Sequence, residues 1–454
     1  MRKSILAVAV AAATVVSGAN AAGFYLKEQS VVGQGRAFAG SAAGTDGASA
    51  AYFNPAGIVG LERQVEVGVH VISPDVTVKD NGTNGTTIVG SSPAPAALVA
   101  QLNQADQEPY SAKAVPNAHF IHPIDENTAF GLSIGAPFGF GNEYEKSGFT
   151  AFDAIENELT TIELGASFAK RINETTSLSL GLMVQDLALE QTAIAGGATL
   201  GTLKGSSQDF GYVLGLQKEF GATTVGASYR SAVEHSVQGT QSFTSRTTGA
   251  PATQPFPSAA SSISLPSTVN VSAPFDLPDI FAVGFKHQNS DQTSVYADIT
   301  YYGWSKVKES PVTLSEAYIG GLAPAGTEIA NPQFNYQDTV SFSLGIEHNY
   351  PSGLTARAGI HHDPTPTNDT DRSTSTPDAD RTWLSAGLSK EVSPALTLDG
   401  AITYILVEES EVDKQRQLLL DGTPTAPTGV GLVTTKAKAS GNVGILSLGL
   451  RYKF

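Results

Sequence analysis

The chain has 454 residues, 41% of them hydrophobic and 15% charged, with 46 glycines, no cysteine and a formal net charge of −16. The lack of cysteine excludes a disulfide framework and a thiolate metal site, and an acidic balance with no Lys/Arg cluster excludes nucleic acid as a partner. Charge is also sparse for an ordinary soluble surface, yet after residue 21 no stretch approaches the roughly 18 apolar residues that a membrane-spanning helix needs.

At the start of the chain, Arg2 and Lys3 precede an apolar run from Ile5 to Val16, and Ala19-Asn20-Ala21 follows. That layout predicts a secretory signal peptide over residues 1–21, whose removal takes the formal charge from −16 to −18. Residues 22–62 show no alternation and are crowded with small side chains, among them Gly33, Gly35, Gly40, Gly44 and Gly47. Phe24, Tyr25, Phe38, Tyr52, Phe53 and Ile58 give this segment apolar anchors that a disordered tail would lack.

From residue 63 to 454 the pattern becomes period two. Val65, Val67, Val69 and Val71 alternate with Gln64, Glu66 and His70; Leu178, Leu180 and Leu182 alternate with Ser177 and Ser179. The final stretch sets Leu446, Leu448, Leu450, Tyr452 and Phe454 against Ser447, Gly449, Arg451 and Lys453. One face suits lipid and the other suits a polar interior. Pattern counting gives about fourteen such strands. Short turns, at 125–127, 173–174, 221–222, 290–291, 351–352 and 393–394, alternate with longer connections such as 242–277, 309–334, 364–379 and 411–439. The expected fold is therefore all-β: a 14-stranded antiparallel transmembrane β-barrel over 63–454, with residues 22–62 folded into its lumen as a plug. The short turns and both chain ends belong on the periplasmic side of a bacterial outer membrane, with the long loops outside.

The third strand alternates normally at Phe130, Leu132 and Ile134, then breaks at Gly135-Ala136-Pro137-Phe138-Gly139. Proline cannot donate to the ladder and glycine tolerates bulge geometry, so a bend is expected here. Gly131-Leu132-Ser133-Ile134-Gly135 matches a nucleophile elbow in letters only, because it lies within a strand; no enzyme activity is expected. His361, His362 and Asp363 alternate between faces, which opposes a metal site, and the Asp/Thr-rich loop from Asp363 to Asp380 is expected to be solvated. No cofactor or metal is called for. Glu66, Glu163, Asp298, Glu347, Arg357, Asp399 and Arg451 fall on the inner face, where they can pair across strands or anchor the plug.

Several motifs carry a family likeness. Ala22-Gly23-Phe24, Gly33-Gln34-Gly35-Arg36-Ala37-Phe38-Ala39-Gly40 and Asn54-Pro55-Ala56, followed in order by Tyr229-Arg230-Ser231, Trp304-Ser305, Arg357-Ala358-Gly359-Ile360, Pro377-Asp378-Ala379-Asp380-Arg381 and Tyr452-Lys453-Phe454, resemble the FadL family. Its members are outer-membrane transporters of long-chain fatty acids and other hydrophobic compounds. The resemblance implies a hatch that closes the lumen, here Phe24, Gly33, Gly35, Arg36, Asn54, Pro55 and Ala56. It also implies a wall opening at a third-strand kink beside the Asn-Pro-Ala turn, here Gly135, Pro137, Phe138 and Gly139. Fatty-acid members often carry Gly-Arg-Tyr after the third strand, whereas this chain has Gly148-Phe149-Thr150, with Arg230, Lys306 or Arg357 as substitute cations.

The expected function is passive uptake of hydrophobic molecules, long-chain fatty acids foremost, with lateral release through the wall. Phe243, Phe256, Leu265 and Phe275, apolar residues in long loops, are the expected ligand groove. The partners are then a fatty acid or hydrocarbon and the lipid and lipopolysaccharide of the membrane around a monomer. The alternatives are a transporter of neutral hydrocarbons or aromatics, and a general porin or adhesin barrel.

Overall fold

The computed structural model describes residues 23–89, 94–196, 199–252, 254–255, 264–420 and 429–454. The expected signal peptide and the groove candidate Phe256 lie outside these residues. Fourteen antiparallel strands close into a barrel. In chain order they are β1 (Gln64–Asp80), β2 (Lys113–Asp125), β3 in two pieces (Thr128–Gly135 and Gly139–Glu143), β4 (Glu156–Asn173), β5 (Thr176–Gly196), β6 (Thr199–Phe220) and β7 (Thr223–Arg230 and Val233–Ser245). Then come β8 (Thr268–Leu277 and Ile280–Gln288), β9 (Thr293–Tyr302), β10 (Thr339–Asn349), β11 (Leu354–Asp363), β12 (Arg381–Ser393), β13 (Leu396–Leu420) and β14 (Gly429–Lys453). Each strand pairs with its successor, and Gln64 of β1 meets Lys453 of β14, which leaves the sheet no edge.

Alternation assigns the faces as the sequence predicts. Leu448 is 62% exposed while its neighbour Ser447 is fully buried. Aromatic residues ring the apolar outer surface at two levels: Phe220, Tyr350, Tyr452 and Phe454 at the short-turn end, and Tyr212, Tyr301 and Tyr404 eight residues along their strands. At about 3.3 Å per residue and a tilt of about 40°, eight residues span about 20 Å of height, the dimension of an apolar band between aromatic girdles.

The strands run well past that band at the other end, which corrects one expected loop. β5 reaches Gly196 and β6 starts at Thr199. The stretch 411–439 is mostly hairpin, with Leu420 of β13 registering on Gly429 of β14. A 25-residue strand is about 80 Å long, far more than the roughly 30 Å hydrocarbon core demands. Out of lipid, the outward positions become polar, as at Glu409, Glu411 and Asp413, so the apolar half of the alternation disappears while the ladder continues. The segment from Asp363 to Asp380 is likewise no solvated loop: Thr367, Arg372, Thr374, Thr376 and Asp378 are buried, and Tyr336 donates to Thr376 Oγ1 at 3.0 Å.

Residues 24–59 pass inside the ring and are almost wholly buried. Short helices at Val31–Gln34 and Ala50–Phe53 and tight turns let this inner segment fold back on itself. Ala37 and Phe38 take left-handed φ angles of 51° and 61°, unusual for residues with a Cβ; their amides donate to the Gln34 and Gly33 carbonyls at 2.9 and 2.8 Å. The wall accommodates the turn with glycine. A Cβ on Gly359 of β11 would overlap the Arg36 carbonyl.

Candidate functional site

The site begins with the break in β3. Gly135 registers on Glu163 of β4 and Gly139 on Thr160, so three residues of β3 oppose two of β4 and the strand carries one extra residue. That is a β-bulge, and Pro137 sits in it. Thr161 of β4 supports it twice: Phe138 N donates to Thr161 Oγ1 at 2.9 Å and Thr161 N donates to the Phe138 carbonyl at 3.1 Å. On the other side the consequence is larger. The β2–β3 ladder ends at Ala118 and Ile134, whereas β2 continues along β1 to Lys113. The wall is therefore split between β2 and the outer piece of β3. Pro137 lies nine residues beyond Thr128, level with the second aromatic ring.

The first residues of the inner segment close this split. Leu26 N donates to the Pro137 carbonyl at 2.7 Å, Gly139 N donates to the Phe24 carbonyl at 2.8 Å, and Tyr25 bridges Phe138 in antiparallel register. Gln29 Nε2 donates to the Ala136 carbonyl at 2.9 Å. The bend is thus met by Phe24 to Gln29. The Asn54-Pro55-Ala56 turn docks elsewhere: Asn54 Nδ2 donates to the Ala42 carbonyl at 2.7 Å and to the Leu216 carbonyl of β6 at 3.0 Å, while its Oδ1 accepts from Ala56 N at 3.2 Å. Pro55 opens the turn Pro55–Ile58, where a missing N–H costs nothing.

Other hatch candidates hold the segment to the wall. Gly33 N donates to Ser30 Oγ at 3.1 Å, and Gly35 lies against Gly387 of β12. Arg36 pairs with Asp46 and with Glu347 at 3.2 Å, and stacks on Tyr296 with its guanidinium 4.0 Å from the ring centre. Burial works against its charge, but Asp46 and Glu347 outweigh it and hold Arg36 above the ordinary arginine range. The inward carboxylates also engage: Glu66 accepts from Ser49 N at 3.2 Å, Asp298 from Ala42 N at 3.3 Å, and Arg451 pairs with Asp399 at 2.8 Å.

Above the seam lies a continuous apolar cluster. Phe24 packs edge-on against Trp304 at 4.8 Å between ring centres, and against Phe275 at 5.7 Å and Phe140 at 5.9 Å. Phe243, Leu265 and Phe275 all belong to this cluster, together with Phe138 and Tyr25. The structure joins three expected groove residues to one hatch residue and to the bend. It also corrects their setting: Phe243 and Phe275 sit on the overshooting parts of β7 and β8, and Leu265 on the short strand Ser264–Leu265. Apolar residues of β8 at Val269, Val271, Ala273, Phe275 and Leu277 point inward there, in the same alternation seen lower down.

The substitute cations are occupied. Arg230 pairs with Glu163, donates to the Tyr52 carbonyl at 3.2 Å and stacks on the Tyr52 ring; Arg357 pairs with Glu347 at 2.7 Å; Lys306 pairs with Asp279 at 3.1 Å. Phe149, where the arginine is missing, is fully buried. Sequence reasoning missed Lys27, which is 7% exposed and whose Nζ has no hydrogen-bond partner. Burial pulls this ammonium below the ordinary lysine range against the attraction of Asp363, Asp298 and Glu28. The available signal was a lysine in the apolar run Phe24-Tyr25-Leu26, within a segment whose other cation before Arg63 is Arg36. Ser133 points inward within a strand followed by the bend, and His361 points inward while His362 faces out.

With this geometry in hand, similarities to known proteins are informative. A family model described as outer membrane protein transport protein (OMPP1/FadL/TodX) matches residues 12–454. The long-chain fatty acid transport protein of Salmonella typhi is 27% identical, with 89% of this chain and 91% of that protein aligned. Outer membrane protein P1 of Haemophilus influenzae is also 27% identical, over 100% and 99%. Among solved structures, a Pseudomonas aeruginosa FadL homologue matches with a TM-score of 0.77 at 20% identity, covering 95% of this chain and 99% of that one. The Ralstonia pickettii toluene transporter TbuX gives 0.62 at 18% identity, over 93% and 97%. At these identities the structural matches speak for the shared fold.

Proposed function

Because the chain belongs to the OMPP1/FadL/TodX family of outer-membrane transport proteins, we propose that it imports hydrophobic molecules, long-chain fatty acids foremost, by passive diffusion with release through the barrel wall. The observation that carries this reading is the apolar cluster running from Phe243, Leu265 and Phe275 to the seam between Phe24 and Phe138. An apolar solute gains free energy by leaving water, so a greasy path offers what a water-filled pore cannot. In the proposed sequence the ligand is captured among the overshooting strands, moves along the cluster, and leaves through the split between β2 and β3 when Phe24 to Leu26 detach from Pro137 to Gly139. With the short turns in the periplasm, the split lies at the outer edge of the apolar band and the exit is into lipid, beneath the lipopolysaccharide headgroups. Residues 22–62 act as the hatch, the protein works as a monomer, and no energy source enters.

Phe275→Asp puts a charge into the cluster beside Phe24 and is expected to cut uptake of radiolabelled oleate at unchanged surface abundance; uptake equal to wild type would refute the path. A second reading, transport of neutral hydrocarbons or aromatics, is favoured by Gly148-Phe149-Thr150 and by the engagement of Arg230, Arg357 and Lys306 with carboxylates. A general porin or adhesin is disfavoured by the buried segment filling the bore.

A further inference from the structure

A narrow cavity between the inner segment and the inner faces of β7, β8 and β9 is lined by Tyr25, Lys27, Phe53, Arg230, Ile280, Asp298 and Tyr302. Three of these residues, Tyr25, Ile280 and Tyr302, are also members of the apolar cluster, so the cavity is the inward end of the proposed path. Its polar content is uneven. Arg230 is committed to Glu163 and Tyr52, and Asp298 Oδ1 accepts from Ala42 N at 3.3 Å, while Asp298 Oδ2 has no hydrogen-bond partner. Lys27 Nζ stands 5.9 Å from the centre of the Tyr302 ring, again with no hydrogen-bond partner.

An ammonium with three donors, buried and unsatisfied, is costly to maintain, and a buried carboxylate is the complement that satisfies it best. Asp298 and Asp363 lower the cost through space. The three donors of the ammonium remain without a hydrogen-bond partner all the same. We propose that Lys27 is the head-group anchor for a carboxylate-bearing amphiphile, whose apolar chain lies along Tyr25, Ile280 and Tyr302 toward Phe24. Lys27 follows directly on Leu26, whose amide is bonded to Pro137, so the head group is held one residue from the seam. This assignment rests on the transport reading and selects fatty acid over neutral hydrocarbon within it.

The test compares uptake of radiolabelled oleate and oleyl alcohol, equal in chain length and differing in charge, in cells with no other channel for either. Lys27→Met is expected to lower oleate uptake about tenfold, the worth of one buried charge-assisted hydrogen bond, while oleyl alcohol uptake stays at the wild-type level. Lys27→Arg restores most of the oleate signal. Asp298→Asn, which keeps the acceptor for Ala42 N and removes the opposing charge, is expected to raise oleate uptake severalfold without changing the alcohol. Should Lys27→Met fail to reach the surface, Asp298→Asn gives the same contrast by itself. Equal loss for both compounds, or oleate uptake indifferent to both substitutions, overturns the assignment. If the wild-type protein imports the alcohol but not oleate, the Lys27 assignment falls and transport stands; if it imports neither, transport itself falls.

Discussion

The amide of Gly139 donates to the carbonyl of Phe24 at 2.8 Å, and through that bond the inner segment becomes an added edge strand on the bend that interrupts β3. The split in the wall and the filling of the bore are therefore one joint: whatever frees Phe24 also uncovers the split. β-Augmentation of this kind is held by backbone bonds, so it is sensitive to register more than to side-chain identity.

Register supplies the first test. Deleting Phe138 removes the extra residue and lets β3 continue its ladder with β2 past Ile134. The barrel is expected to keep its heat-modifiable mobility on gels while oleate uptake falls at least tenfold. Normal uptake through a repaired wall would rule out lateral release.

Asn54 fastens the segment at its other end with one hydrogen bond to the Leu216 carbonyl of β6, and with two more, to Ala42 and from Ala56, that hold the fold of the segment itself. Asn54→Ala leaves the Ala42 and Leu216 carbonyls and the Ala56 amide without their partner, a loss of about 1–3 kcal/mol in seating. Planar-bilayer recordings are expected to show more frequent openings than wild type, with uptake altered at unchanged surface abundance. A channel as silent as wild type with unchanged uptake would remove Asn54 from the hatch.

Two glycines give a paired comparison. A Cβ on Gly359 would collide with the Arg36 carbonyl, whereas one on Gly400 would meet only the Leu448 side chain at 3.8 Å and the Ser447 carbonyl at 3.9 Å, ordinary contacts. Gly359→Ala is expected to unseat the inner segment at a cost of about 1–3 kcal/mol and to make it accessible to added protease. Gly400→Ala is expected to behave as wild type; equal protection of both variants would show that Arg36 does not press on β11.

Burial holds the Glu28 carboxyl at about 7, up from an ordinary 4.5, with Arg381 and Lys27 pulling it down and Asp363 pushing it up. The seated segment thus binds this proton more tightly than the free one does. Its contribution to seating is complete below about pH 4.5 and is lost as pH rises through about 7. Protease access to the segment is expected to increase between pH 5 and 8 in wild type and to flatten in Glu28→Gln; a pH profile identical in the two proteins would contradict this.

Much of this architecture is legible in the sequence because lipid enforces period two on every strand it touches, as Leu446, Leu448 and Leu450 show. Beyond lipid that constraint lapses. Glu409, Glu411 and Asp413 continue β13 with a polar outer face, and such stretches look like loops. The bend was legible because Pro137 has no N–H to give. Its partner was not: the pairing of Tyr25 with Phe138 joins residues more than a hundred positions apart and leaves no local periodicity. Phe243 and Phe275 stood out as aromatics in a long connection between strands, whereas the isolation of Lys27 is set by what surrounds it in three dimensions.

The inner segment bonds to β6 through Asn54, to β10 through Arg36 and to β13 through the bond from Gln34 to Thr403, strands drawn from most of the circumference. It also precedes every barrel strand in the chain. Its binding surfaces do not exist until the last strand has closed on the first, so residues made before all the barrel strands are the latest to acquire a shape. During assembly they must stay extended and unaggregated, and a chain truncated before β14 would have no cradle in which to set them.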